Sequence, residues 1–166
     1  NPGYKAYNRL VDSNFAGPDG GKFVDEYPVE TVPLSGDVDK AKEYLAAAME
    51  ELGYSDVSQL PQLELITWDT SEQKLLLETI IDQWKQNLGL ENIQLTQYVI
   101  GTAIGSFYDL SYDLFAITWE TDVLPTDIME AMVTGGEVNY GIWSDAQFDS
   151  LVEQAINELE PDKQAE

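Results

Sequence analysis

From Asp37 onward the spacing of apolar residues switches repeatedly between a period near 3.6 and a period near 2. That alternation constrains the fold more than any other feature of the 166-residue chain. Asp37–Leu52 reads as a helix: Asp37 caps it, Ala41, Tyr44, Leu45, Ala48, Met49 and Leu52 form a stripe, and Gly53 stops it. Gln62–Trp68, QLELITW, has the composition of a strand. Ser71–Leu88 is a second helix, with Leu76, Ile80, Trp84 and Leu88 along one face and Gly89 as its stop. Asn92–Val99, NIQLTQYV, alternates as a half-exposed strand, and Gly101–Tyr108 is a short helix or loop. Tyr112–Trp119 is a third strand, whose run LFAITW predicts burial on both faces. Pro125–Val133 is a short helix with Pro125 near its first turn, and Gly135-Gly136 breaks the chain. Ser144 begins the last helix, Gln147 is placed to complete a capping box, and Phe148, Leu151, Val152, Ala155 and Leu159 face inward.

Strands alternating with helices predict a βαβ arrangement with at least two parallel strands and a right-handed crossover. The expected fold is α/β, a mixed, partly parallel sheet flanked by helices, over residues 37–166. Residues 1–36 read differently. Segments such as AGPDGGKF and PVETVPLSG show neither period, so this part is expected to be an extended, Gly/Pro-rich lead-in.

Composition narrows the chemistry. The chain has 8 basic and 31 acidic residues, a formal net charge of −23. A field of that sign repels phosphate backbones and argues against a nucleic-acid partner. With no Cys and no His there is no cysteine nucleophile, no Ser-His-Asp triad and no His- or Cys-ligated metal. Asp37-Val38-Asp39 lacks the later ligands of an EF-hand, and no glycine-rich phosphate loop is present. No cofactor and no metal are expected. No run of 18 apolar residues offers a membrane span, and no basic, apolar leader stands at the start.

Four stretches, in this order, carry a resemblance to a known family: AKEYLAAAMEELGY (Ala41–Tyr54), ETIIDQWKQNLGLENIQLTQ (Glu78–Gln97), YDLFAITWETD (Tyr112–Asp122) and NYGIWSDAQFDSLVEQA (Asn139–Ala155). Together they resemble the C-terminal lobe of the extracellular solute-binding proteins that serve peptide-type ABC importers. The resemblance implies one lobe of a two-lobed, periplasmic-binding-protein-like fold, excised from a longer chain. It implies a non-catalytic role in capturing an oligopeptide or other small solute for a membrane permease. It also implies an extracellular or cell-envelope location, periplasmic or lipid-anchored.

Ligands of open α/β sheets sit outside the carboxyl ends of the strands. Trp119 and Asp122 follow the third strand there. In the peptide-binding members that the chain resembles, the Asp of Trp-x-x-Asp pairs with the peptide's free α-amino group, and Asp122 holds that motif position. Trp119 would supply a flat apolar wall, and Thr121 belongs to the same candidate set. Val123 follows Asp122 and Pro125 stands three residues on, so the loop is one residue shorter than the family pattern. Trp68-Asp69 repeats the aromatic-then-acid layout after the first strand and joins the candidates, although Asp69 or Thr70 can equally cap the next helix. Two other readings stay open. One is a two-carboxylate hydrolase built on Glu120 and Asp122. The other is an interaction domain with no small ligand.

Overall fold

The computed structural model describes residues 7–9, 11, 15–28, 32–118, 125–160 and 163. In chain order the elements are α1 (Phe23–Glu26), α2 (Val38–Leu52), a 3-10 turn (Val57–Gln59), β1 (Leu63–Trp68), α3 (Ser71–Leu88), β2 (Ile93–Tyr98), α4 (Ile100–Asp109), β3 (Leu114–Phe115), α5 (Pro125–Ala131) and α6 (Ala146–Asn157). They fall into two units: Asp37–Trp119, and Asn1–Gly36 together with Glu120–Glu166. Among the described residues no helix is long and apolar enough to cross a membrane.

In the Asp37–Trp119 unit both long helices begin and end where local chemistry dictates. The Asp37 carboxylate accepts the Lys40 N–H (2.9 Å), satisfying one of the orphan donors of the first turn of α2. Gly53 ends that helix at φ 73°, a conformation that suits a residue without Cβ, and the Tyr54 N–H returns to the Met49 carbonyl (2.8 Å). The buried stripe of α2 is narrower than its apolar pattern. Met49 is buried and Ala41 and Leu45 are half-buried, while Tyr44 is exposed and lies under the Lys40 ammonium at 5.0 Å. On α3 the inward face runs through Gln73, Leu77, Ile80, Trp84 and Leu88. Leu76, expected on that face, is 53% exposed. The run Leu75-Leu76-Leu77 offers several helical registers, and packing on the sheet selects Leu77.

The three strands are parallel and ordered β2-β1-β3, which meets the α/β expectation. β1 pairs along its whole length with β2, from Leu63↔Ile93 to Trp68↔Tyr98. Parallel register and the two-residue side-chain period place Ile66, Trp68, Thr96, Tyr98 and Phe115 on one face of the sheet. Phe107 of α4 covers that face, with its ring 4.9 Å from Phe115 and 6.0 Å from Tyr112. The third strand departs from expectation. Among the described residues, only Leu114 and Phe115 join the ladder, opposite Leu65 and Ile66, and both are half-buried. A strand at the sheet's edge has one hydrogen-bonding neighbour, so the apolar run LFAITW overstated both its length and its burial. Tyr112 lies outside the strand and packs edge-on against Phe107 and Phe115.

The other unit holds α1, α5 and α6. Within the Gly/Pro-rich lead-in, Ala16 and Lys22 form an antiparallel bridge, and Phe23 packs edge-on against Phe15 (6.1 Å). The loop between them closes over the Glu26 carboxylate, which accepts the N–H groups of Gly21 (2.9 Å) and Asp19 (3.3 Å). A Cβ at Gly17 would stand 2.2 Å from that carboxylate, so a larger residue there would displace the Glu26 side chain from the loop. Farther on, the cap of α6 is Asp145 rather than Ser144: its carboxylate accepts from the backbone of Gln147 (2.9 Å) and Phe148 (2.8 Å). The Ser144 hydroxyl instead pairs with the Thr134 hydroxyl at 3.0 Å, donating to it while Thr134 donates to Asp149. The Trp143 ring packs on Phe148 at 4.9 Å and covers the entry of the helix. Val152 is buried and Phe148 and Ala155 are half-buried, whereas Leu151 is exposed and Leu159, past the helix end, is 93% exposed.

Two measurements test this packing. Phe107→Ala removes a buried ring from the three-ring cluster and is expected to lower stability by about 3–5 kcal/mol in urea unfolding. A loss below about 1 kcal/mol would place Phe107 outside the core. Asp149 accepts from the Thr134 hydroxyl and from its backbone N–H (2.9 Å), which hold its carboxyl below the ordinary 3.8. Its contribution is therefore full above pH 3.8 and is lost as pH falls through the lower folded value. Thermal unfolding between pH 6 and pH 2.5 should show a shallower acid decline in Asp149→Asn, and an unchanged decline would overturn that assignment.

Candidate ligand-binding site

β1 lies between β2 and β3, so the two crossovers run in opposite directions along the sheet: β1 to β2 through α3 toward one side, and β2 back past β1 to β3 through α4 toward the other. The crevice outside the carboxyl ends of β1 and β3 is thus the topological switch point, the usual ligand position in open α/β sheets. Trp68 ends one of these strands and Asp69 and Thr70 follow it, and Ala116, Ile117 and Thr118 follow the other.

Trp68 is the last residue of β1 and is half-buried. Among the described residues its indole N–H is buried without a hydrogen-bond partner, as is the Thr96 hydroxyl on the same sheet face. Asp69 is exposed, and its backbone N–H continues the ladder to the Tyr98 carbonyl (2.8 Å). The capping question resolves in favour of Thr70, whose hydroxyl accepts the Gln73 N–H at 3.2 Å. Asp69 is thereby free of helix capping, and among the described residues no salt bridge or side-chain hydrogen bond engages its carboxylate. The Gln97 carboxamide fixes the turn from β2, donating to the carbonyls of Trp68 (3.2 Å) and Thr70 (3.0 Å). The remaining candidates, Trp119, Thr121 and Asp122, lie outside the described residues, as does Glu120. The chain is described as far as Thr118, the residue directly before Trp119.

Four residues at this corner escaped the sequence reading: Thr67, Gln73, Gln97 and Thr118. Thr67 donates to the Ala116 carbonyl (2.7 Å), and the Gln73 amide donates to the Thr118 hydroxyl. No local signal marks them, because a threonine in a strand and a glutamine in a helix's first turn acquire meaning only when β3 arrives beside them. A second concavity, between α5 and α6, has a volume of about 380 Å³; Val133, Val152 and Ile156 line it, with Glu130, Asp149 and Glu153. Among the described residues no cluster of acidic side chains has the grouping to hold a metal. What the strand-end corner offers is a half-buried aromatic residue followed in the chain by an exposed aspartate. That arrangement suits a ligand carrying a positive charge and some apolar surface. Removing the cap with Thr70→Ala is expected to cost about 1 kcal/mol of stability in urea unfolding. Asp69→Asn should stay within about 0.5 kcal/mol of the parent. The reverse order would make Asp69 the cap.

No family model matches the chain. The oligopeptide-binding protein OppA of Bacillus subtilis is 28% identical over 133 residues, a match covering 78% of this chain and 24% of that protein. The dipeptide-binding protein DppE of the same organism is 26% identical over 157 residues, covering 94% of this chain and 28% of that one. The chain therefore spans about a quarter of the length of these curated relatives. Among solved structures, Listeria monocytogenes OppA bound to peptide superimposes with a TM-score of 0.79 at 22% identity, over 98% of this chain and 30% of that one. The fold is shared with that structure. In sequence and in fold, this chain is related to a segment of the solute-binding proteins of peptide ABC importers.

Proposed function

We propose that this chain supplies one wall of a peptide-binding site in a solute receptor serving an ABC importer. The observation that carries the reading is the aromatic-acid corner at the switch point, found in a chain whose curated relatives are named for binding oligopeptides and dipeptides. In this reading Asp122 pairs with the α-ammonium of the peptide through a charge-assisted hydrogen bond. Trp119 stacks against the first residue and Thr121 contributes a polar contact, and Trp68 and Asp69 line the crevice at the end of β1. A net charge of −23 steers an ammonium-bearing ligand toward the protein at low ionic strength. The work is capture rather than catalysis, and the partner that receives the ligand is a membrane permease. The protein acts on the outer face of the cell, in the periplasm or on a lipid anchor.

An NMR titration of the chain tests this. Short peptides with free N-termini are expected to shift the Trp68 and Trp119 indole signals and the Asp122 amide. The same peptides with acetylated N-termini should not, and Asp122→Asn should abolish the difference. No shift with either set removes the peptide reading. Glycoside turnover that depends on Glu120 and Asp122 would replace it with the two-carboxylate hydrolase.

A further inference from the structure

We infer that the concavity between α5 and α6 is a docking groove for a basic amphipathic helix, whose apolar face covers Val133, Val152 and Ile156 and whose lysines or arginines meet Glu130 and Glu153. The groove lies wholly within the unit that holds α5 and α6, and it does not depend on the peptide-receptor reading.

The apolar floor comes from both sides of the α5–α6 turn. On α6, Asp149, Val152, Glu153, Ile156 and Asn157 line the concavity. Their spacing, i, i+3, i+4, i+7 and i+8, is the stripe that a helix turns toward a packing partner. Val152 is 5% exposed, but Ile156, one turn on, is 41% exposed, and Val133 is half-buried. α5 has seven residues and α6 has twelve, and the last turn of α6 is left with Ile156 open to solvent.

Hydrogen bonds form the groove before anything binds. The Thr134 N–H donates to the Asp149 carboxylate at 2.9 Å, and the Asn139 carboxamide donates to the carbonyls of Val133 (3.1 Å) and Trp143 (2.8 Å). These bonds tie the turn after α5 to the start of α6. A ligand that meets a pre-formed surface loses less to ordering it. The volume of about 380 Å³ is in the range of sites that take ligands.

Charge identifies the occupant. From Pro125 to Glu160 the chain has eight acidic residues and no lysine or arginine. Asp149 is held by Thr134, while Glu130 and Glu153 are exposed, and among the described residues no ion pair engages either. Any positive charge that meets them comes from outside this stretch. Among the described residues no acidic grouping suits a metal ion, and a hydrated cation makes no use of an apolar floor. A groove between two helices, apolar at its base and acidic at its rims, is complementary to a helix that is apolar on one face and basic at the edges. Lysine and arginine stems also lie over apolar surface while their charged ends reach the rim.

The test uses the full 166-residue chain, methyl NMR signals of Val133, Val152 and Ile156, and a leucine–lysine peptide with blocked ends. Its leucines stand at i, i+3, i+4 and i+7, and its other positions are lysine. One control has the same residues shuffled to abolish the apolar face, and another has glutamate in place of lysine. The leucine–lysine peptide is expected to shift the three sets of methyl signals and to bind about tenfold or more tightly than either control. Ile156 is exposed, so Ile156→Ser should weaken binding about tenfold with the fold retained. Glu130→Gln combined with Glu153→Gln should weaken it about fivefold at low salt, and about 0.5 M salt should remove that difference. Equal binding of the shuffled peptide would reduce the effect to the general acidity of the chain and overturn the groove. Shifts confined to α2 and α3 would do the same. Equal shifts with butylammonium would make the groove a small-cation site, and groove shifts that grow with the concentration of the chain alone would give it to a second copy. Either result overturns the basic helix as its occupant.

Discussion

Everything in the Asp37–Trp119 unit is organised by the central strand. β1 is hydrogen-bonded on both edges, Ile66 is fully buried within it, and Phe107 of α4 covers the face that Ile66 shares with Phe115. Because its neighbours come from crossovers running in opposite directions, the strand also fixes the location of the crevice. One end of β1 provides Trp68 and Asp69 directly, while its penultimate residue, Thr67, reaches across to Ala116. Fold and candidate site thus share a single strand. A change that shifts β1 by one residue would invert its faces and dismantle both.

Charge contributes little to holding this structure together. The described ion pairs, Lys40–Glu43, Lys74–Glu78 and Lys85–Glu91, are half exposed or more, and pairs of that kind contribute between nothing and about 1 kcal/mol. Stability rests on a small apolar core and on well-made helix ends at Asp37, Thr70 and Asp145. The acidic excess is then available for solubility and for attracting cations.

What the sequence revealed follows the range of the interaction concerned. The α/β class, the long helices and their glycine stops were legible, because capping, helix propensity and the positive φ of Gly53 and Gly89 are local. Choices between adjacent residues were not. Leu76 and Leu77 are equally apolar, and Ser144 and Asp145 are equally plausible caps, so tertiary packing and helix geometry decided each pair. β3 was overread because an apolar run does not state how far its neighbour extends. Of the candidate site, the sequence located Trp68 and Asp69 at the carboxyl end of a strand. It could not locate Thr67, Gln73 and Thr118, since their partners lie 49 and 45 residues away in the chain.

At the start of α3 the helix is capped by a hydroxyl while the neighbouring carboxylate is left to solvent. That division of labour separates two selective pressures that often fall on one residue. An aspartate that both capped the helix and met the ligand could not change its charge without weakening the domain. With Thr70 holding the helix, position 69 is at liberty to vary. Under the proposed receptor role, the charge at this corner can be altered, reversed or lost, and the class of solute with it, while the scaffold beneath stays intact.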